Sequence, residues 1–310
     1  MTIGSLFAGI GGIELGFEQA GFNTIWANEI DKDACITYRY NFPEVKLYEE
    51  DIRKLEVSKL EYVDALTAGF PCQPFSVCGN KKGFNDERGN LFFEIMRVVD
   101  EIHPPVIFLE NVANLTEHDN GRTLNTIHNE LIIRDYFIRY LVADACDYGI
   151  PQHRTRTYIV AFKSQNKCDE FYFPEKCELK KRIFDIIDKS KIIDERYYLK
   201  HGTYQHEKMA SVIKDENQIY RFSDYGIQSS KDGISFTLKA NMGTWRDRIP
   251  IIKDNNGIRK ITPYEALALM GYPDTFRFQG ISSQAAYKQI GNSVCVPIIK
   301  QIAQNILNVM

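Results

Sequence analysis

Through its first half the chain alternates between short apolar runs rich in β-branched residues and stretches whose apolar residues recur at helical spacing. The runs fall at 2–7, 24–28, 46–49, 63–69, 106–110, 137–144 and 157–162. Between two of them Leu91, Phe92, Ile95, Val98, Val99 and Ile102 share one helical face until Pro104 ends the pattern. Within 121–135, Leu124, Ile127, His128, Leu131 and Ile132 repeat it. This alternation predicts βαβ units and an α/β, doubly wound, mainly parallel sheet with helices on both faces. Beyond Phe162 the rhythm fails. Residues 163–258 are polar, aromatic-rich and irregular, with turn signals at Lys231-Asp232-Gly233 and Asn255-Asn256-Gly257. They read as a smaller, separate module with little regular core, before helical patterning returns at 262–270 and 283–308.

In an open parallel sheet, ligands gather beyond the carboxyl ends of the strands. The residues expected there form a set: Phe7-Ala8-Gly9-Ile10-Gly11-Gly12, Glu29, Asp51, Cys72 and Glu110-Asn111. A glycine turn lets backbone approach a ligand closely, and an acid about 20 positions on suits ribose hydroxyls. It is not the dinucleotide pattern, because Glu14 stands where the third glycine should fall. Three acids (Glu14, Glu29, Asp51) also suit a pyrophosphate poorly, so an adenosine-bearing cofactor without phosphates fits better. Cys72 sits between Pro71 and Pro74, whose fixed φ stiffens the loop after the fourth run and presents the thiol.

Seven cysteines without a CxxC pair argue against a disulfide framework and for a reducing compartment. The six histidines offer no HxxxH or HExxH set, so no metal is expected. Nothing at the N-terminus reads as a leader and no apolar run approaches membrane-spanning length; the expectation is a cytoplasmic protein without a membrane partner. The net charge of −3 hides an asymmetry: residues 1–150 hold 13 Lys and Arg against 24 Asp and Glu, the remainder 25 against 17. A polyanion would be met by the second half.

Six motifs in order, FAGIGG (7–12), NEID (28–31), GFPCQPFS (69–76), ENV (110–112), QHRTR (152–156) and IGNSV (290–294), resemble the DNA (cytosine-5-)-methyltransferases of bacterial restriction-modification systems. The resemblance covers about 1–162 and 259–310. It implies a Rossmann-like, S-adenosylmethionine-dependent domain over 1–165, completed by about 285–310. A target-recognition domain over about 166–258 and a hinge over about 259–284 would complete the chain. By the same resemblance Cys72 is the nucleophile, adding to C6 of a flipped-out cytosine so that C5 can take a methyl group. Glu110 would serve N3 of the ring, and Arg154 and Arg156 would stand beside the base. Phe7, Ala8, Gly9, Gly11, Gly12, Glu29, Asp51, Ile52, Asn292 and Ser293 match the pocket for S-adenosyl-L-methionine, released as S-adenosyl-L-homocysteine. Ile30 departs from relatives that place an aromatic there.

The segment 73–90 resembles the family's loop that closes over the base. Pro71, Gln73, Ser76, Thr237, Arg246 and Arg248 are the candidate contacts to DNA, within a stretch (221–260) holding eight Lys and Arg against four Asp. The implied partners are duplex DNA and a cognate restriction endonuclease acting in the same system, with the enzyme itself a monomer. Two alternatives remain. The family's tRNA-acting relatives share PCQP and ENV, though they usually lack the Gly-Phe before the Pro-Cys. A non-catalytic DNA-binding protein on the same scaffold would be expected to have lost the cysteine, the glutamate or the arginines.

Overall fold

The computed structural model describes residues 1–71, 91–230, 232–244 and 248–310. Cys72, Gln73, Ser76, Arg246 and the whole 73–90 segment lie outside the described residues. Contacts divide the chain into two compact units. The first comprises Met1–Ala143, Thr155–Glu175 and Ile298–Met310; the second comprises Asp144–Arg154 and Lys176–Pro297.

All seven expected strands of the first unit are present: β1 (Thr2–Leu6), β2 (Asn23–Asn28), β3 (Lys46–Tyr48), β4 (Ala65–Gly69), β5 (Val106–Val112), β6 (Phe137–Asp144) and β7 (Thr155–Phe162). They form one sheet in the order β3-β2-β1-β4-β5-β7-β6. The β1–β2, β2–β3, β1–β4 and β4–β5 pairs are parallel, and β7 runs antiparallel to β5. Helices α1 (Gly12–Gln19), α2 (Lys32–Asn41), α3 (Leu91–Ile102) and α4 (Arg122–Ile132) lie between successive strands in sequence, as parallel crossovers require. Of the face predicted for α3, Phe92, Ile95, Val98, Val99 and Ile102 are buried and Leu91 is half-buried, and Met96, outside the predicted set, is buried with them. Each such side chain contributes roughly 1.5–3 kcal/mol. After α5 (Gln165–Glu170) the chain leaves this unit and returns for α9 (Val296–Val309), whose Ile298, Ile299, Ile302, Ala303 and Ile306 are completely buried.

The second unit holds α6 (Tyr204–Val212), β8 (Ile219–Ser223), β9 (Gly226–Ser230), β10 (Ile251–Asp254), β11 (Gly257–Lys260), α7 (Pro263–Ala268) and α8 (Ser283–Asn292). Its strands form an antiparallel sheet in the order β11-β10-β8-β9. The expectation of little regular core is corrected here. Leu199, Met209, Tyr220, Ile251 and Ile258 make a small apolar cluster under this sheet. Beside it Arg259, completely buried, is gripped by Asp254 and by both carboxylate oxygens of Glu265 at 2.8 Å. Charge burial of this kind disguises a core in the sequence: Arg259 counts as surface in composition and is interior in fact.

The helical pattern over 283–308 is also corrected, since it divides into α8 and α9. Ser293 takes an extended conformation (ψ −175°) as the C-cap of α8, and α9 restarts at Val296. Pro297 is then the second residue of the new helix, where a missing N–H costs nothing, whereas within one continuous helix it would clash with the preceding turn.

Candidate active site

Strand order reverses between β1 and β4, which makes their carboxyl ends the topological switch point of the sheet. The glycine turn follows β1 there. Phe7 and Gly9 take positive φ (56° and 58°), and Gly11 does so at 84° as the N-cap of α1. A left-handed backbone at a phenylalanine is uncommon and strained. A Cβ on Gly9 would meet nothing within 4 Å, so the main chain here faces open space; one on Gly11 would lie 2.1 Å from the Phe42 ring.

Glu29, at the end of β2, fixes this turn. One carboxylate oxygen accepts from the Gly9 N–H at 2.7 Å, and the other accepts from the Ile30 and Asp31 N–H groups at 2.8 Å each. Asp31 in turn caps α2. Asn28 ties the turn to the β3 loop, donating to the carbonyls of Tyr48 (3.0 Å) and Glu50 (2.8 Å). Ile30 is 61% exposed beside the turn, free to offer an apolar surface. Asp51 caps the short turn that buries Ile52, and its carboxylate grips the Arg53 side chain. That hydrogen bond holds the Asp51 carboxyl below the ordinary aspartate range.

The third strand end carries the acid. Glu110 pairs with Gly69 in the β4–β5 register, and a Cβ on Gly69 would lie 3.7 Å from a Glu110 carboxylate oxygen. Arg156, opposite Val112 on β7, donates from Nε to Glu110 at 3.1 Å, with both side chains at most 15% exposed. Asn111 donates to the Phe70 carbonyl at 3.0 Å, so β5 anchors the main chain one residue before Pro71 and two before Cys72. Sequence reasoning singled out the ENV motif but assigned Asn111 no role; its place inside the motif was the available signal.

The second unit holds the remaining candidates. The Arg154 guanidinium is 2% exposed and donates to the carbonyls of Leu238 (2.9 Å), Gly291 (3.1 Å) and Ser293. Gln152, wholly buried, receives the Leu238 N–H at 3.2 Å and donates to the Leu269 carbonyl at 2.9 Å. Thr237 donates to the His153 carbonyl at 2.6 Å. The first half of QHRTR and the Thr237-Leu238 pair are therefore one hydrogen-bonded piece. Gly291 completes it, because a Cβ there would lie 2.1 Å from the Ala240 main-chain nitrogen. Asn292 is exposed, and Ser293 bonds the Tyr272 hydroxyl. Arg248 pairs with Asp224 at 2.6 Å, while Arg221 lies over the Phe236 ring at 4.1 Å.

The family model described as C-5 cytosine-specific DNA methylase matches residues 1–308. The chain belongs to that family. It is a DNA (cytosine-5-)-methyltransferase of the type II restriction-modification class. It is 44% identical over 314 residues to the type II methyltransferase M.Bsp6I of Bacillus sp. (strain RFL6), covering 100% of this chain and 99% of that one. With the type II methyltransferase M.HhaI of Haemophilus parahaemolyticus it shares 37% identity, covering 97% and 92%. Among solved structures, a Spodoptera frugiperda DNMT2 mutant superposes with a TM-score of 0.75 at 22% identity over 99% of both chains. A putative DNA modification methyltransferase from an Escherichia coli prophage gives 0.69 at 24%, over 100% of this chain and 99% of that one. These two share the methylase fold. No helix among the described residues is long and apolar enough to cross a membrane.

The methylase differs in one respect from the electrostatic argument made on its sequence. Of the three acids beside the glycine turn, Glu14 is on the buried face of α1 with zero exposure. Burial pushes its pKa up to about 8, against smaller opposing effects from its own main chain and Ser5. With Asp51 compensated by Arg53, the turn owes its negative charge to Glu29. The buried acid carries a testable cost. Between pH 5 and 8 an unfolded Glu14 has lost its proton while the folded one keeps it, so stability falls as pH rises, by about 1.4 kcal/mol per pH unit. Glu14→Gln should remove that slope, making the variant progressively more stable than the parent toward pH 8. Urea denaturation of both proteins across this range measures it, and parallel curves would refute a buried neutral carboxyl.

Proposed function

We propose that the first unit binds S-adenosylmethionine over the Phe7–Gly12 turn and methylates C5 of a cytosine rotated out of duplex DNA, through a covalent bond from Cys72 to C6. The observation that carries this reading is the Glu110–Arg156 pair, held at the carboxyl end of β5 against the end of β4, three residues before Cys72. Bound S-adenosylmethionine would supply a methyl group on a sulfonium, with its adenosine over the open main chain at Gly9 and its ribose toward Glu29. Cytosine C5 is too poor a nucleophile to accept that methyl unaided. Addition of the Cys72 thiolate at C6 makes the ring enamine-like, with the new carbon–sulfur bond formed at the expense of the C5–C6 double bond. Glu110 gives a proton to N3 as the adduct forms, and the carboxylate left behind is stabilised by Arg156. After methyl transfer, loss of the C5 proton to solvent restores the C5–C6 double bond and expels the Cys72 thiolate, while the N3 proton returns to the Glu110 carboxylate.

C6 is inaccessible inside a duplex, so the nucleotide must leave the stack. The second unit would read the flanking sequence, with Arg154 as a positioning residue for the Thr237-Leu238 segment and Arg248 near the DNA backbone. A cognate restriction endonuclease is the functional partner of this reading. Duplex DNA carrying 5-fluorocytosine at the target position supplies the test, since fluorine cannot leave as the proton does. The expected result is a denaturation-resistant protein–DNA complex that requires S-adenosylmethionine and maps to Cys72. A wild-type protein that methylates ordinary duplex yet never becomes trapped would exclude the covalent route. Label transferred to tRNA and not to duplex DNA would replace the substrate.

A further inference from the structure

Residues 144–154 turn back on themselves. A short turn over Ala145–Tyr148 ends at Gly149 (φ +89°), and the returning chain brings the Arg154 carbonyl to the Ala145 N–H at 3.2 Å. The fold-back carries His153 over Asp144 and Cys146. Its Nδ1 lies 3.0 Å from an Asp144 carboxylate oxygen and 3.6 Å from the Cys146 sulfur, and the three ligand atoms all lie within 4.8 Å of one another. No other group of this kind occurs among the described residues.

The geometry points to a site for one divalent transition-metal ion of the zinc class, held by Asp144 Oδ2, Cys146 Sγ and His153 Nδ1. In a tetrahedron with metal–sulfur bonds of about 2.3 Å and metal–nitrogen or –oxygen bonds of about 2.0–2.1 Å, ligand edges are about 3.3–3.6 Å. The sulfur–nitrogen edge already has this length, and the nitrogen–oxygen edge needs to open by a few tenths of an ångström. Sulfur, imidazole and carboxylate together select zinc, cobalt or nickel over magnesium or calcium. Three protein ligands leave the fourth position to water. Entry of the ion takes the proton from the Cys146 thiol and releases it to solvent, since the thiolate is the ligand. Access is open: the His153 side chain is 53% exposed. The spacing escaped the sequence reading because one aspartate, one cysteine and one histidine over ten residues match no zinc pattern.

The site is placed to matter. The second oxygen of Asp144 accepts the Arg154 N–H at 2.6 Å, and the His153 carbonyl accepts the Thr237 hydroxyl. A bound ion would therefore cross-link the loop that positions both. Cobalt(II) titrated into the whole chain, kept reduced with a non-thiol reagent, gives the test. One ion per chain is expected, with a sulfur-to-cobalt charge-transfer band and visible bands of tetrahedral intensity, displaced by zinc and not by magnesium. Cys146→Ala and His153→Ala should each weaken binding at least tenfold and Cys146→Ala should abolish the sulfur band, while Cys72→Ser should keep it. The proposal is overturned if wild type shows no sulfur band, if the band survives in Cys146→Ala, or if it disappears in Cys72→Ser.

Discussion

Glu110→Gln is expected to slow methyl transfer by about 10²- to 10⁴-fold, the contribution of a positioned proton donor, while leaving affinity for DNA and cofactor within a few-fold of the parent. The substitution is nearly isosteric. A glutamine carbonyl can still accept from Arg156 Nε, now at 3.1 Å from the carboxylate, so the ends of β5 and β7 should not move. What the amide cannot do is hand a proton to the ring nitrogen and become an anion beside the guanidinium. The loss is about 3–5.5 kcal/mol of transition-state stabilisation. It should appear in single-turnover transfer of labelled methyl groups and be absent from equilibrium binding. A rate within threefold of the parent would remove Glu110 from the chemistry.

Gly291→Ala should be the most damaging single methyl group in the second unit. The new Cβ would lie 2.1 Å from the Ala240 nitrogen, 2.2 Å from the Lys239 carbonyl carbon and 2.4 Å from the Ala240 Cα. All three are main-chain atoms, which cannot swing aside as a flexible side chain would, so either α8 or the 237–240 segment must shift. Overpacking of this kind costs about 3 kcal/mol or more. A shifted segment also strips Arg154 of its Leu238 carbonyl and Gln152 of the Leu238 N–H. The expected result is a lower denaturation midpoint together with at least a tenfold loss of affinity for the specific duplex. Unchanged stability would mean that the two segments do not approach as described.

The sequence disclosed most where burial and periodicity agree. Strands such as β4 and β5 are buried along nearly their whole length and so read as continuous apolar runs. The second unit was harder, because its β10–β11 hairpin mixes isoleucines with Asp254 and Arg259, and a buried ion pair looks like solvated surface. Arg154 and Arg156 also look equivalent in sequence, two residues apart in QHRTR. The structure separates them: Arg156 belongs to the first unit beside Glu110, and Arg154 is a clamp within the second, surrounded by main-chain carbonyls. Glu14 was read as part of a negative rim, but helical spacing turns it inward. No pattern of residue types announces such a choice, since it depends on which face of a short helix meets the sheet.

The return of residues 298–310 to the first unit bears on how the protein is made. Four isoleucines of α9 are buried there, one of them packed so closely that a methyl group on Gly16 of α1 would lie 2.5 Å from Ile299. A ribosome adding about 5–20 residues per second therefore needs roughly 7–27 s to pass from the end of β7 at Phe162 to the start of α9 at Val296, with the sheet made and this helix still absent. Until α9 emerges, the apolar surface it covers stays open to water, and it is there that a chaperone would be expected to hold the nascent chain.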